Sequence, residues 1–253
     1  MSVVLILGSG PDATEVADAP REAFDTIVAI NNAWRVRPDW DVHIFPSDFT
    51  DDRKPSQPRR RIEAADYVPV QNAYGGFVYA GGTMAFTAAY WALGALRPRV
   101  LAFAGCNMVY PATGPTHFYG TGTPDPLRAD VTLRSLEAKS ARLRIHAARQ
   151  GCACARVTGS ASVLQMPRAT PDALPPTPAA FDADLAAEAD AMERALGYYV
   201  PSGKYWKEED RFDLAKIDAL DALWRQAGGV FSSYGQRSRI RQAGHFGLRA
   251  TQT

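Results

Sequence analysis

LILGSGPDATEV, residues 5–16, runs from an apolar stretch straight into Gly8-Ser9-Gly10-Pro11 and then into a segment expected to be helical. A glycine-bearing turn between a buried strand and a helix can hold a phosphate. It can also do no more than turn the chain tightly. A dinucleotide fingerprint would put its third small residue at Ala13. It would also need a carboxylate about twenty residues beyond the glycines. Ala29 to Asn32 stand there, with no Asp or Glu among them, so a plain NAD site is disfavoured.

Further runs of the same kind follow. Val3–Leu7 is continuously apolar; Thr26–Ile30, Val42–Phe45 and Val100–Ala104 are further largely apolar runs, and Tyr67–Val70 and Ala155–Val157 are weaker. Such runs fit strands covered on both faces, and Pro69 points the fourth to a sheet edge. Between them, the alanine-rich Thr83–Leu96 reads as a helix packed closely on a sheet. Residues 131–150 read as a second helix, with Leu133, Leu136, Ser140, Leu143 and Ala147 on one stripe. Strands alternating with helices predict an α/β, Rossmann-like, mostly parallel sheet with helices on both faces. Residues 1–166 form this expected nucleotide-binding domain. The proline-rich 167–180 reads as a connector. Residues 181–253 read as a helical C-terminal extension, with stripes at Phe181, Leu185, Ala189, Met192 and Leu196, and at Leu214, Ile217, Leu220 or Asp221, and Trp224. It is expected to pack on the main domain or to make a subunit contact, which leaves a homo-oligomer open.

The 253 residues are 46% hydrophobic and 22% charged, with a formal net charge of +1, so global charge makes no case for nucleic acid or a membrane surface. No apolar stretch is long enough for a transmembrane segment, and Val3–Leu7 is too short for a signal sequence. Cys106, Cys152 and Cys154 have no zinc or disulfide spacing, so a cytoplasmic location is the default.

In an open parallel sheet, ligands bind beyond the carboxyl ends of the strands. Five turns should meet there: Gly8-Ser9-Gly10, Asn31-Asn32, Pro46-Ser47-Asp48, Gly81-Gly82-Thr83 and Gly105-Cys106-Asn107. Thr83 opens a helix, whose dipole and free N–H groups favour an anion. Each turn also has a plainer reading. Asn31-Asn32 could cap a helix at Ala33–Val36, Gly81-Gly82 could be a simple loop, and Asn107 could tolerate a left-handed backbone. Asp39-Trp40-Asp41 lies at the opposite edge and reads as a solvated turn. No metal site is expected; Asp48 is the better-placed acid. Residues 107–127 form a long loop carrying Tyr110, His117 and Tyr119. A histidine can serve as general base and a tyrosine can stabilise a departing phosphate; alternatively these side chains only pin the loop. His43 and His146 read as structural. His245 sits in a basic tail, Arg237–Arg249, read as solvated.

Taken in order, the Gly-Ser-Gly-Pro turn, Asn31-Asn32, Gly81-Gly82-Thr83, Ala92-Leu93-Gly94 and Ala104-Gly105-Cys106-Asn107 resemble the bacterial, Campylobacter-type sialyltransferases over about 110 residues. The pterin pyrophosphokinase-like group shares the opening turn, but its acidic strand-end motif is absent here. Ser9 stands for the family's asparagine, Gly81-Gly82 for Thr-Ser, and Asn107 for an aspartate. The resemblance implies a glycosyltransferase using a CMP-activated sugar donor without metal. Gly8, Ser9, Gly10, Asn31, Asn32, Gly81 and Gly82 would hold the nucleotide, with Ser47, Asp48, Thr83 and Asn107 beside them. Tyr110 or Tyr119 would assist the leaving phosphate and His117 would take the proton of a hydroxyl acceptor. No cofactor is firmly implied. Mg²⁺ enters only under the alternative, a pyrophosphokinase-like phosphoryl transfer; a nucleotide-binding protein without catalysis is the third reading.

Overall fold

A computed structural model describes residues 2–110, 112–159 and 161–229; His245 and the rest of the basic tail lie outside them. Six strands form one all-parallel sheet: β1 Val3–Leu7, β2 Thr26–Ile30, β3 Val42–Ile44, β4 Arg60–Ile62, β5 Val100–Ala104 and β6 Ala153–Arg156. Their order across the sheet is β4-β3-β2-β1-β5-β6. This is the expected Rossmann-like α/β fold. The chain winds outward one way through β4, then returns to the middle to place β5 against β1. The switch of direction therefore falls between β1 and β5, where an open parallel sheet presents its crevice.

The two faces follow the period of two in each strand. Val4 and Ile6 of β1, Val28 and Ile30 of β2, and Leu101 and Phe103 of β5 share one core. Val3, Leu5 and Leu7, with Ile27, Ala29, Ala102 and Ala104, share the other. The first core is covered by α-helices: α1 Ala64–Ala73, the single turn α2 Phe77–Ala80, α3 Met84–Ala95 and α4 Leu136–Arg149. The alanines of α3 let it lie close, and Phe86 to Leu93 are buried without interruption. The second core is covered by short 3-10 helices at Pro11–Val16, Arg21–Ala23 and Asn31–Arg35, with Phe118 and Leu174 from loops. Helices α5 Ala183–Leu196 and α6 Leu214–Gly228 pack outside α4 around Ile145, Leu220 and Trp224. No helix among the described residues is long and apolar enough to cross a membrane.

Two elements differ from expectation. Tyr67–Val70 is not a strand but the middle of α1, with Pro69 inside the helix. The backbone N–H of Glu63 donates to the Asp66 carboxylate at 2.9 Å, an acidic first turn that starts a helix over the β-prone residues. The edge strand is Arg60–Ile62 instead, where only Ile62 is buried. Residues 131–150 are also not one helix: a 3-10 turn at Val131–Leu133 precedes α4, whose N-cap is Ser135.

The ends of β1 and β5 lie too close for side chains. The Gly8 N–H donates to the Ala104 carbonyl and the Gly10 N–H to the Gly105 carbonyl, both at 2.8 Å. A Cβ on Gly8 would stand 2.5 Å from the Gly105 oxygen and 2.6 Å from Cys106 Sγ. Gly105 itself has φ +62, where glycine is at home. Gly8→Ala is therefore expected to destabilise the fold by about 1–3 kcal/mol, as overpacking against backbone does. A urea midpoint measurement checks this.

Candidate functional site

The carboxyl ends of β1, β2, β3 and β5 open into a cavity of ≈ 280 Å³. It gathers most of the residues nominated from sequence: Gly8, Ser9 and Gly10, Asn31 and Asn32, Asp48, Thr83, Tyr110, His117 and Tyr119 all line it. Ser47, Gly81, Gly82 and Asn107 do not.

Each of those four is placed or held away from the cavity. Ser47 is exposed on the turn after β3. The Gly82 N–H donates to Thr132 Oγ1 at 2.9 Å, and that hydroxyl donates to Asp130 at 2.6 Å. Asp130 also accepts from Tyr205 and Arg128, so this chain of bonds fixes the glycine pair from behind. The Gly81 carbonyl accepts from Gln71 Nε2 at 3.4 Å. Asn107 turns the other way, donating to Asp12 at 2.6 Å and to the Thr158 carbonyl at 3.1 Å. The left-handed residue beside β5 is Met108, at φ 55, not Asn107.

The opening turn contributes shape more than donors. Both glycine N–H groups are taken, by Ala104 at the end of β5 and by Gly105 just after it, and the Ser9 carbonyl accepts from the Phe118 N–H at 3.1 Å. That last bond ties the 107–127 loop to the first turn and brings His117 and Tyr119 to the cavity wall.

The Ser9 N–H and hydroxyl have no partner among the described residues, and further free capacity lies on the next turns. Asn32 is buried and Asn31 half-buried, yet neither side chain makes a hydrogen bond to a described residue, and both Oδ1 atoms are buried without a partner. Unmatched buried amides of this kind cost about 1–3 kcal/mol each, and a bound molecule or water at the cavity would satisfy these two. They do not act as caps: the 3-10 helix begins at Asn31 itself and carries no side-chain cap. Asn31 has φ 51, and its carbonyl is held by His43 Nε2 at 2.8 Å. Burial lowers His43 to about 4. It is therefore neutral near pH 7, with Nε2–H as donor.

Across the cavity stands the N-terminus of α3. Thr83 Oγ1 accepts from the Phe86 N–H at 3.3 Å. The Met84 and Ala85 N–H groups have no partner among the described residues, and both residues line the cavity. Two free donors at the positive end of a helix dipole suit an anion. Arg53, absent from the sequence reading, adds a cation to the wall; Asp48 is the one carboxylate lining it among the described residues. Arg53 follows β3 in the same loop as Asp48, and that shared loop is the signal that could have found it. Cys106 also lines the cavity, but burial pushes its thiol far up, so it is no nucleophile.

His117 is oriented by Thr116. The Thr116 hydroxyl donates to the Gly122 carbonyl at 2.9 Å and accepts the Gly122 N–H at 2.8 Å. Its one proton is thus used, and its 3.0 Å contact with His117 Nδ1 is a bond in which Nδ1–H donates. The lone pair then sits on Nε2, which has no partner among the described residues. The Tyr119 ring stacks on the imidazole at 5.0 Å between centroids. Burial draws His117 below the ordinary imidazole value, so the neutral base dominates at neutral pH.

The fold and the cleft define a class: a Rossmann-like protein whose strand-end cavity is lined by the start of α3, Arg53, the Asn31-Asn32 pair and the His117 imidazole. Comparison of the chain with family models, with curated proteins and with solved structures gives no match.

Proposed function

We propose that the chain is a glycosyltransferase-like enzyme that takes a nucleotide-activated, CMP-type sugar donor and transfers the glycosyl group to a hydroxyl acceptor without metal. The observation that carries this reading is the pairing, in one cavity, of His117 with its lone pair on Nε2 and a helix N-terminus with two N–H groups, all three without a partner among the described residues. The phosphate would lie toward Met84, Ala85 and Arg53, and the amides of Asn31 and Asn32 would meet the polar edge of the nucleoside. His117 Nε2 would take the acceptor's proton as its oxygen bonds to the anomeric carbon. The bond from that carbon to the phosphate oxygen would break, its electron pair leaving with the phosphate. Tyr110 or Tyr119 would donate a hydrogen bond to the departing oxygen. Three buried free thiols are in keeping with a cytoplasmic setting.

Asp48 on the cavity wall keeps one rival specific: Mg²⁺-dependent phosphoryl transfer, with Asp48 as metal ligand. Incubation with CMP-activated sugars and simple hydroxyl acceptors, in EDTA and in Mg²⁺, separates the readings by the CMP released. The expected result is release in EDTA that is lost in His117→Ala. Turnover only of ATP with Mg²⁺ would favour the rival. Nucleotide binding unaffected by that substitution, with no turnover, would leave a binding protein.

A further inference from the structure

Residues 53–61 hold five cations and no carboxylate, in a chain whose formal net charge is +1. They form the loop after β3 and the edge strand β4. Lys54 pairs with Asp51 at 2.7 Å, and Arg61 acts on the same carboxylate through its charge; Arg53, Arg59 and Arg60 have no carboxylate within ion-pair distance among the described residues. A charged edge strand can simply prevent sheet-to-sheet pairing, but these cations are not loose. Arg59 lies over Trp40 at 4.7 Å, Lys54 over Phe45 at 4.5 Å, and Arg53 over Phe49 at 5.0 Å. The three rings are themselves buried and joined through His43: Trp40–His43 at 6.0 Å, His43–Phe45 at 4.7 Å and Phe45–Phe49 at 5.8 Å between centroids. Arg59 also donates to the Trp40 carbonyl and Arg61 to that of Pro55.

The row has a direction. Trp40 precedes β3 at the amino edge of the sheet; Phe49 and Arg53 line the cavity at the carboxyl edge. Charges already held on aromatic faces lose little freedom when they meet an anion. A line of them ending in the cleft fits a linear chain better than a flat surface.

We propose that this row is the docking track for an acidic polysaccharide, a linear polyanion whose terminal hydroxyl enters the cleft. The inference rests on the acceptor reading above and gives that acceptor its chemistry. The probe is a decameric oligogalacturonate, with a neutral maltodextrin of equal length as control. The intact chain should bind the oligogalacturonate, more weakly as salt rises, and the neutral control should not bind. The variant K54Q/R59Q/R61Q should lose about 10-fold or more in affinity, one such step being 1.4 kcal/mol. K216Q/R225Q, which removes two cations from α6, should not lose affinity. If the triple variant does not fold, Arg61→Glu serves, since Arg61 is exposed and its side chain makes one hydrogen bond among the described residues, to the Pro55 carbonyl at 3.2 Å; its loss should exceed that of Arg61→Gln. Equal binding by intact and variant chains, equal binding of the neutral control, or tighter binding of single-stranded nucleic acid or anionic vesicles through the same cations would each overturn the proposal. A CMP thermal shift on the same samples keeps the two readings apart. Polyanion binding without a CMP response would leave the track and remove the donor site; a CMP response without polyanion binding would do the reverse.

Discussion

Alanine at position 117 is expected to slow glycosyl transfer by about 10²–10⁴-fold, the usual contribution of a positioned base, with little effect on nucleotide affinity. The imidazole stands on the loop wall, whereas the nucleotide contacts proposed above come from Asn31, Asn32 and the start of α3. Only the proton transfer should suffer. The pH profile has a fixed sign. Transfer needs neutral His117, so the rate should fall as pH drops through the pKa of its conjugate acid. Burial places that value below the ordinary 6.5, so the acid limb should lie lower than for free imidazole. Tyr119→Phe keeps the stacked ring and removes only the hydroxyl, so it should preserve the position of that limb. Initial rates across pH 4–9 for the three chains check this (roughly two units either side of the free value). An acid limb unchanged in His117→Ala would remove the histidine from the mechanism.

Glu193→Ala is expected to destabilise the fold by about 3–5 kcal/mol, as loss of one partner of a buried ion pair does. Arg142 on α4 is buried, and Glu193 on α5 grips it at two points, 2.6 Å from Nε and 2.8 Å from the second terminal nitrogen. The same guanidinium donates to Tyr90 Oη at 2.8 Å and to the Tyr74 carbonyl at 2.6 Å, while Trp224 of α6 donates to Glu193 at 2.8 Å. One carboxylate thus joins α4, α5 and α6 to the helix layer on the sheet. Without it an unpaired charge stays buried. Glu188, exposed on the same helix, is the control and should change stability by less than about 0.5 kcal/mol. Arg142→Met with Glu193→Leu should recover most of the loss, because apolar packing can replace a buried pair. Urea unfolding reads all three, and a loss below about 1 kcal/mol in Glu193→Ala would show that the guanidinium finds another partner or water.

These networks also show what the sequence withholds. The strands in the middle of the sheet were legible because both faces are buried and the apolar runs are unbroken. The edge strand was not: Arg60-Arg61-Ile62 has one buried side chain, and β-prone Tyr67–Val70 drew attention while Glu63 and Asp66 were starting a helix. The apolar stripes of α5 and α6 were visible, but the ionic contacts between helices were not. Charged residues on a helix read as solvated until the partner helix is known, as with Asp221, buried against Lys139 at 2.8 Å. In the cleft, residues placed by strand ends came together because the parallel sheet brings those ends to one edge. Asn107 and Gly82 fell outside because long-range partners, Asp12 and Thr132, claimed them. Arg53 entered because the β3 loop folds back over the edge.

The central claim is that the strand-end cleft binds a CMP-type nucleotide without metal. Thermal unfolding in the presence of CMP, CDP, UDP, GDP, ATP and NAD, each with and without Mg²⁺, tests it most directly. Stabilisation by CMP or CDP in EDTA is expected, about 2.7 kcal/mol at a hundred times the dissociation constant, and it should shrink in Asn32→Ala. No stabilisation by any of these nucleotides, or stabilisation by ATP with Mg²⁺ alone, would contradict it.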